Sequence, residues 1–267
     1  MKKDIEELIE TVKSSNKYRN IHTGLVEHIA EAELNKGRSW KDTVKAVRSK
    51  LHQVGAAYQP QPIHYEQLVE IMETLPKDLH HPAVKAFCQQ AMQQHASTRE
   101  RLPFLEQFYQ QLFSPLAPID SLMDVACGLN PLALPWMSLP VECKITVCDI
   151  YTDQIEFLNR FFDYFSINGK AGFCDLTLTI PKEAVQVALV LKTIPCLEQV
   201  DKEIGARLLA GLPAENLIVS FPSKSLGGKV KGMRQHYAAH FNQMVALFPW
   251  QVTLLPFDNE DVYLIQK

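Results

Sequence analysis

The stretch DVACGLNPLAL (residues 124–134) continues an apolar run, SLMDVA (121–126), and carries a single glycine where nucleotide-binding loops carry two or three. An apolar strand followed by a glycine turn has the form of the first strand and loop of a doubly wound sheet, whose ligands lie at the carboxyl ends of the strands. Six further short apolar runs follow: KITVCDI (144–150), AGFCDL (171–176), VQVALVLK (185–192), NLIVSFP (216–222), WQVTLLPF (250–257) and DVYLIQK (261–267). Longer segments separate the first five strands, which implies crossover connections and a mainly parallel sheet covered on both faces. Between the last two lie only DNE and its neighbours, too few residues for a crossover helix, so they are expected to form an antiparallel hairpin at one edge.

Upstream the periodicity is helical. Ile5, Leu8, Ile9 and Val12 recur at helical spacing, as do Trp40, Val44, Val47 and Leu51, and Leu68, Ile71, Met72 and Leu75. Lys41, Lys45 and Arg48 follow the second set one position along, so they are expected to form a basic stripe beside the buried face. YQPQPIHY (58–65) interrupts this pattern with two prolines and reads as a linker or sharp turn. The expected organisation is a helical N-terminal domain over residues 1–85 and an α/β domain over 86–267, within the size range of one main domain and a smaller companion.

Five parallel strands and an antiparallel hairpin form the sheet of S-adenosylmethionine-dependent methyltransferases, in which the hairpin strand marks the difference from the dinucleotide Rossmann fold. The loop agrees with this. A dinucleotide pyrophosphate needs several glycines for close backbone approach to two phosphates, whereas Gly128 alone suffices for a methionine moiety. Asp149 ends the second strand 21 residues after Gly128, where a carboxylate accepts both ribose hydroxyls. Such an acid, facing a cleft, is expected to contribute little to packing. Asp175 ends the third strand, in the usual place for reading the adenine amino group. Ala126, Ile150 and Leu176 stand beside these residues as further cofactor contacts. Lys192 follows the fourth strand, where a lysine can bind cofactor or face a target base. A nicotinamide oxidoreductase is disfavoured by the missing glycines, and a decayed, non-catalytic RNA-binding module by the presence of Gly128, Asp149 and Asp175.

The net charge of −3 conceals an asymmetry: residues 1–60 hold eleven Lys/Arg against eight Asp/Glu, and the remainder sixteen against twenty-two. KGRSWKDTVKAVRSK (36–50) and SKSLGGKVKGMR (223–234) are local basic clusters, and a polyanion senses charge over about a Debye length, ~8 Å. No apolar run approaches the ~20 residues of a membrane span, and the charged N-terminus lacks a signal-peptide core, so a cytoplasmic protein is expected. Six cysteines (88, 127, 143, 148, 174, 196) form no C-x-x-C pair and are expected to be buried free thiols rather than zinc ligands or disulfides. GGKVKG lacks the Lys-Ser/Thr of a P-loop, neither Cys127 nor Cys196 has the Pro-Cys setting of a nucleophilic methyltransferase, and His95 reads as a hydrogen-bonded structural residue.

SNKYRN, KLHQVGAAY, HASTRERL, DVACGLNPLALPWM, LKTIPCLE, SFPSKSLGGKVKGM and NEDVYLIQK occur in this order along nearly the whole chain and closely resemble the Arm family of aminoglycoside-resistance 16S ribosomal RNA methyltransferases. The resemblance implies methylation of N7 of the guanine numbered 1405 in the assembled 30S subunit by a class I S-adenosylmethionine-dependent fold; a neighbouring decoding-site base is the alternative target. It implies catalytic roles for Lys192 and Glu260, and pairing of Arg101, in HASTRERL, with the cofactor carboxylate. RNA contacts are expected from Lys17, Arg19, Lys41, Lys45, Arg48, Lys50, Tyr58, Lys224, Lys229, Lys231, Met233 and Arg234, with the protein acting as a monomer. Tyr58, Trp136, Phe221 and Tyr237 are the candidates to stack on an extruded guanine. FDNEDVYLIQK departs from the family's GNELIY: Asp258 and Asp261 replace a glycine and a leucine-like residue beside Glu260.

Overall fold

Val187, Ala188, Leu189 and Val190 are completely buried in succession, as in a central strand covered on both faces. The computed structural model describes residues 2–56, 58–59, 61–223 and 232–267; Lys224, Lys229 and Lys231 lie outside the described residues. The apolar run is β4 (Val185–Leu191) of a seven-stranded sheet. Its companions are β1 (Ser121–Val125), β2 (Lys144–Asp149), β3 (Gly169–Phe173), β5 (Ala214–Pro222), β6 (Gln251–Pro256) and β7 (Glu260–Gln266). The spatial order is β3-β2-β1-β4-β5-β7-β6, with β1 to β5 parallel and β7 antiparallel to both β5 and β6.

All seven expected strands form, and the hairpin lies at the edge. Its second strand takes the interior place because Val262, Tyr263, Leu264 and Ile265 are all buried, whereas β6 is exposed along most of its length. Alternation along the strands sorts the core into two layers. Leu122, Leu189, Ile218 and Leu264 face α5 (Pro82–Met92), α7 (Leu105–Phe113) and α8 (Thr152–Tyr164). Met123, Val190, Leu217 and Ile265 face α10 (Ile204–Gly211) and α11 (Met233–Val245). Two short helical turns, α6 (Ala96–Arg99) and α9 (Ile194–Leu197), lie near the carboxyl ends of the strands. No helix among the described residues is long and apolar enough to cross a membrane.

The N-terminal segment divides by the core it joins. α1 (Lys2–Lys13), α2 (Thr23–Leu34) and α3 (Trp40–Leu51) share a cluster that includes Ile150 and Tyr151 beyond β2. α4 (Tyr65–Met72) instead joins the core of the sheet, where Tyr65 meets Phe157 of α8. In both α3 and α4 the buried face is rotated from the expected apolar stripe. Thr43, Val47 and Leu51 are inside on α3 while Trp40 is 39% exposed, and on α4 Ile71 is 47% exposed.

Two cysteines depart from the expected free thiols. Cys148 and Cys174 form a disulfide, with Cα atoms 5.6 Å apart, inside the range that a disulfide spans. Neighbouring parallel strands bring them together: Cys148 lies opposite Gly172 in the β2–β3 register, two residues before Cys174. Cys88, Cys127, Cys143 and Cys196 are buried thiols, as expected.

The turn between α2 and α3 is organised by Glu33, which is fully buried and pairs with Lys36 at 2.7 Å, Lys50 at 3.1 Å and Arg38. Burial pushes the Glu33 carboxyl up, but Lys36 and Lys50 outweigh it and hold it below the ordinary value. A carboxylate depressed on folding stabilises above its unfolded pKa, and that contribution is lost as the pH falls through the folded value. Glu33→Gln is therefore expected to lower the melting temperature at neutral pH by roughly 3–6 °C. The difference from wild type should shrink below about pH 4.5. Circular dichroism melts across the acid range measure it, and a difference independent of pH would show that the ion pairs contribute nothing.

Candidate cofactor and RNA site

Each parallel strand from β1 to β4 delivers a polar group to one cleft at the carboxyl end of the sheet: Asp124, Asp149, Asp175 and Lys192. After β1 the chain turns through Ala126 (φ 52°) and Gly128 (φ 53°), both left-handed. The Gly128 amide donates to Asp149 Oδ2 and the Ile150 amide to Oδ1, each at 2.7 Å. Asp149 is thus the clamp that shapes the glycine loop, which revises the expectation that it contributes little to the fold. Burial raises its pKa, and the two amides act against that. Each oxygen retains a second lone pair, so Asp149 can still accept a pair of hydroxyls.

The lone glycine has a second cause. A Cβ on residue 128 would lie 2.7 Å from His95 Cε1, so the buried ring would have to move. His95 is buried, its pKa pushed down to about 4 by burial and by Arg101, Arg99 and Lys192, and its Nδ1 has no partner among the described residues. It is a neutral ring against the loop. It was visible in HASTRERL, but nothing in the sequence placed it over Gly128.

Arg101 also lines the cleft, yet its guanidinium is paired within the protein. Nε and one terminal nitrogen reach Glu260 at 2.5 and 3.0 Å, and the other terminal nitrogen donates to Asn130 Oδ1 at 3.2 Å. Tyr109 donates to the same Oδ1 at 2.6 Å, and Asn130 Nδ2 donates to Asp124 Oδ2 at 2.7 Å. Burial works against both charges, but Arg101 and Glu260 outweigh it for each other and keep the pair ionised. Burial pushes Asp124 up to about 7 against the pull of Asn130 and Arg101. Glu260 does not line the cleft; it acts on it through Arg101.

Lys192 does line the cleft, in a left-handed conformation (φ 56°) that its amide secures by donating to Ser220 O at 3.0 Å. Its Nζ lies 2.5 Å from Glu100 Oε2, and Asn259, next to Glu260, donates to the Glu100 carbonyl at 3.0 Å. Asp175 is buried at the cleft wall beside Leu176, with Thr177 and His28 on its oxygens. Neither partner was foreseen from the sequence.

The aromatic candidates separate. Tyr58 lines the cleft, hydrogen-bonded to Cys196 at 3.1 Å and parallel to His95, and burial raises its pKa. Phe221 is buried core, Tyr237 stacks on it, and Trp136 lies under Lys85. These three do not line the cleft.

The basic stripe is narrower than expected. Lys17, Arg19, Lys41 and Lys45 are exposed. Arg48 turns inward to donate to Thr11 O at 2.6 Å, and Lys50 is held by Glu33. Both cations are used to join helices. Met233 and Arg234 begin α11, where Arg234 pairs with Asp261 at 2.8 Å and donates to the carbonyls of Phe257 and Asp258. The unusual Asp261 is thereby neutralised, and the arginine braces the β6–β7 turn that ends at Glu260.

Gly128→Ala is expected to destabilise the protein by about 2 kcal/mol or more, through both φ and the His95 contact. Combining it with His95→Ala should recover part of the loss, because only the steric clash is relieved; a double-mutant cycle by urea unfolding measures the coupling. Strict additivity would place the whole cost in the backbone.

Comparison with known proteins agrees with this geometry. Residues 14–265 match the family described as ribosomal RNA methyltransferase (FmrO). A 16S rRNA (guanine(1405)-N(7))-methyltransferase of Micromonospora echinospora is 33% identical over 265 residues, 98% of this chain and 97% of the relative. One from Serratia marcescens is 32% identical over 238 residues, 89% of this chain and 88% of the relative. The structure of the 16S rRNA methyltransferase RmtF in complex with S-adenosyl-L-homocysteine is similar, with a TM-score of 0.85 at 29% identity, covering 100% of this chain and 99% of that one. The 16S rRNA methylase RmtB gives a TM-score of 0.81 at 28% identity over 98% of each chain. With the likeness extending through the helical N-terminus as well as the sheet, this chain belongs to the FmrO family of ribosomal RNA methyltransferases.

Proposed function

We propose that the protein transfers a methyl group from S-adenosylmethionine to N7 of guanine 1405 of 16S rRNA in the assembled 30S subunit, conferring aminoglycoside resistance. The observation that carries this reading is the convergence of Gly128, Asp149 and Asp175 on one cleft, in a chain of this family. The site fits the cofactor: a side chain on Gly128 would fill the cradle against His95, and the two buried strand-end acids would supply the acceptors that ribose and adenine need. Asp149 would hold the ribose hydroxyls and Asp175 the adenine amino group, with Ala126, Ile150 and Leu176 around them. When bound, S-adenosylmethionine supplies an electrophilic methyl on a sulfonium.

Guanine N7 carries a free lone pair, so no residue has to remove a proton before attack, and rate enhancement comes from positioning and electrostatics. Access is the harder problem, because side chains cannot read the deep, narrow major groove of A-form RNA. Extruding the base costs about a few kcal/mol, which stacking on Tyr58 at roughly 1–3 kcal/mol offsets in part. Lys192 keeps two ammonium protons beyond the one on Glu100 and can donate to guanine O6, leaving N7 to face the methyl group. Glu260 and Arg101 position that lysine's surroundings rather than reacting.

Selection of one guanine requires contacts away from the base. Within residues 1–85 the helices α1 to α3, rather than α4, which joins the sheet core, would dock to rRNA, with the exposed Lys17, Arg19, Lys41 and Lys45 on phosphates whose spacing exists only in the folded subunit. The protein would act as a monomer in the cytoplasm, where its 30S substrate lies.

Treatment of 30S subunits followed by N7-specific scission and primer extension is expected to place the mark at guanine 1405, with little modification of naked 16S rRNA. A mark on another base would overturn the assignment. Asp149→Asn should weaken S-adenosylmethionine binding about tenfold or more, since an amide nitrogen now faces a backbone donor or a hydroxyl; calorimetry giving wild-type affinity would remove Asp149 from the site. Replacing Lys41 and Lys45 with alanine should weaken 30S binding and flatten its salt dependence by about one unit for each phosphate no longer neutralised. An unchanged slope would mean that this face does not touch RNA.

A further inference from the structure

The acid beyond β3 is not held by its own domain alone. Thr177 donates its amide and hydroxyl to Asp175 Oδ1, at 3.0 and 2.6 Å. Oδ2 is met by His28 Nδ1 of α2 at 2.9 Å, across 147 positions of sequence. A carboxylate oxygen can only accept, so the shared proton belongs to Nδ1. Among the described residues no other hydrogen bond reaches Oδ2.

α2 is fastened across the ends of two strands. The His22 amide donates to Ile150 O at 2.8 Å, Ile21 forms an isolated bridge with Tyr151, and the His22 ring stacks on Phe173, the last residue of β3, at 3.6 Å. Leu25, one turn before His28, itself lines the cleft. At its far end the same helix carries Glu33, which ties it to α3 and so to the exposed Lys41 and Lys45.

We propose that His28 is a positioning residue for the adenine end of the cofactor site. It fixes the Asp175 carboxylate so that the remaining lone pair of Oδ2 accepts the adenine amino group, and it thereby makes the RNA-docking helices part of the cofactor site. This rests on the methyltransferase reading above. A shift of α2 changes both sites together, so cofactor and 30S subunit each alter the other's affinity by the same factor.

The test is calorimetry of wild type, His28→Ala and His28→Asn with S-adenosylhomocysteine and with S-inosylhomocysteine, which has a 6-oxo group in place of the amino donor. His28→Ala is expected to bind S-adenosylhomocysteine about tenfold more weakly while its affinity for the inosyl compound stays at the wild-type level. His28→Asn, which keeps a donor near the Nδ1 position, should recover most of the loss, and KM for S-adenosylmethionine should rise more than kcat falls. Wild-type affinity for S-adenosylhomocysteine in His28→Ala would overturn the proposal alone. So would equal losses for both nucleosides, which would mean that His28 merely holds α2 in place. Failure of the wild-type protein to bind either nucleoside would overturn the methyltransferase reading, and the proposal with it.

Discussion

A guanidinium with 1% of its side chain exposed has to be neutralised where it lies, and the catalytic end of this sheet is arranged around that constraint. Arg101 draws Glu260 from the start of β7 and Asn130 from the loop after β1, and Asn130 in turn holds Asp124 and Tyr109. Removing one partner of such a pair typically costs about 3–5 kcal/mol, because the other charge stays buried. The pair therefore acts less as a source of stability than as a geometric requirement that couples segments far apart in sequence.

The hairpin makes the pairing possible. An antiparallel strand begins where its parallel neighbours end, so inserting β7 next to β5 sets Glu260 opposite Pro222, at the carboxyl edge of the sheet. The turn before it is braced by Arg234, and Asn259 in that turn holds the backbone of Glu100, whose carboxylate meets Lys192. Substitution of aspartate at position 261 is accommodated because Arg234 is within reach. The charge of Asp261 is met by a local ion pair, beside the contact of Glu260 to Arg101.

Charge on the helical unit is divided between two uses. Lys36, Arg38 and Lys50 surround Glu33, and Arg48 bonds to α1, so these cations hold helices together. Lys17, Arg19, Lys41 and Lys45 remain on the surface. A basic cluster read along the chain overstates the charge available to a polyanion, since each ion pair formed inside the unit cancels a cation that composition alone would count.

Much of the fold was legible in the sequence, because strand alternation, helix periodicity and connection length are local properties: seven apolar runs became seven strands, and DNE was too short for anything but a hairpin. Gly128, Asp149, Asp175 and Lys192 could be read as site residues for the same reason, since strand ends in a parallel sheet share one edge. What the sequence could not contain was pairing across the fold. The Cys148–Cys174 bond depends on register between β2 and β3, the need for glycine at 128 depends on a ring from residue 95, and the rotation of the α3 face depends on what packs against it. Likewise Arg101 with Glu260 and His28 with Asp175 are separated by 159 and 147 positions. Periodicity extends only a few residues along a chain, whereas a buried charge is satisfied by whatever partner the completed packing brings within about 3 Å, and only the tertiary structure decided which partner that was.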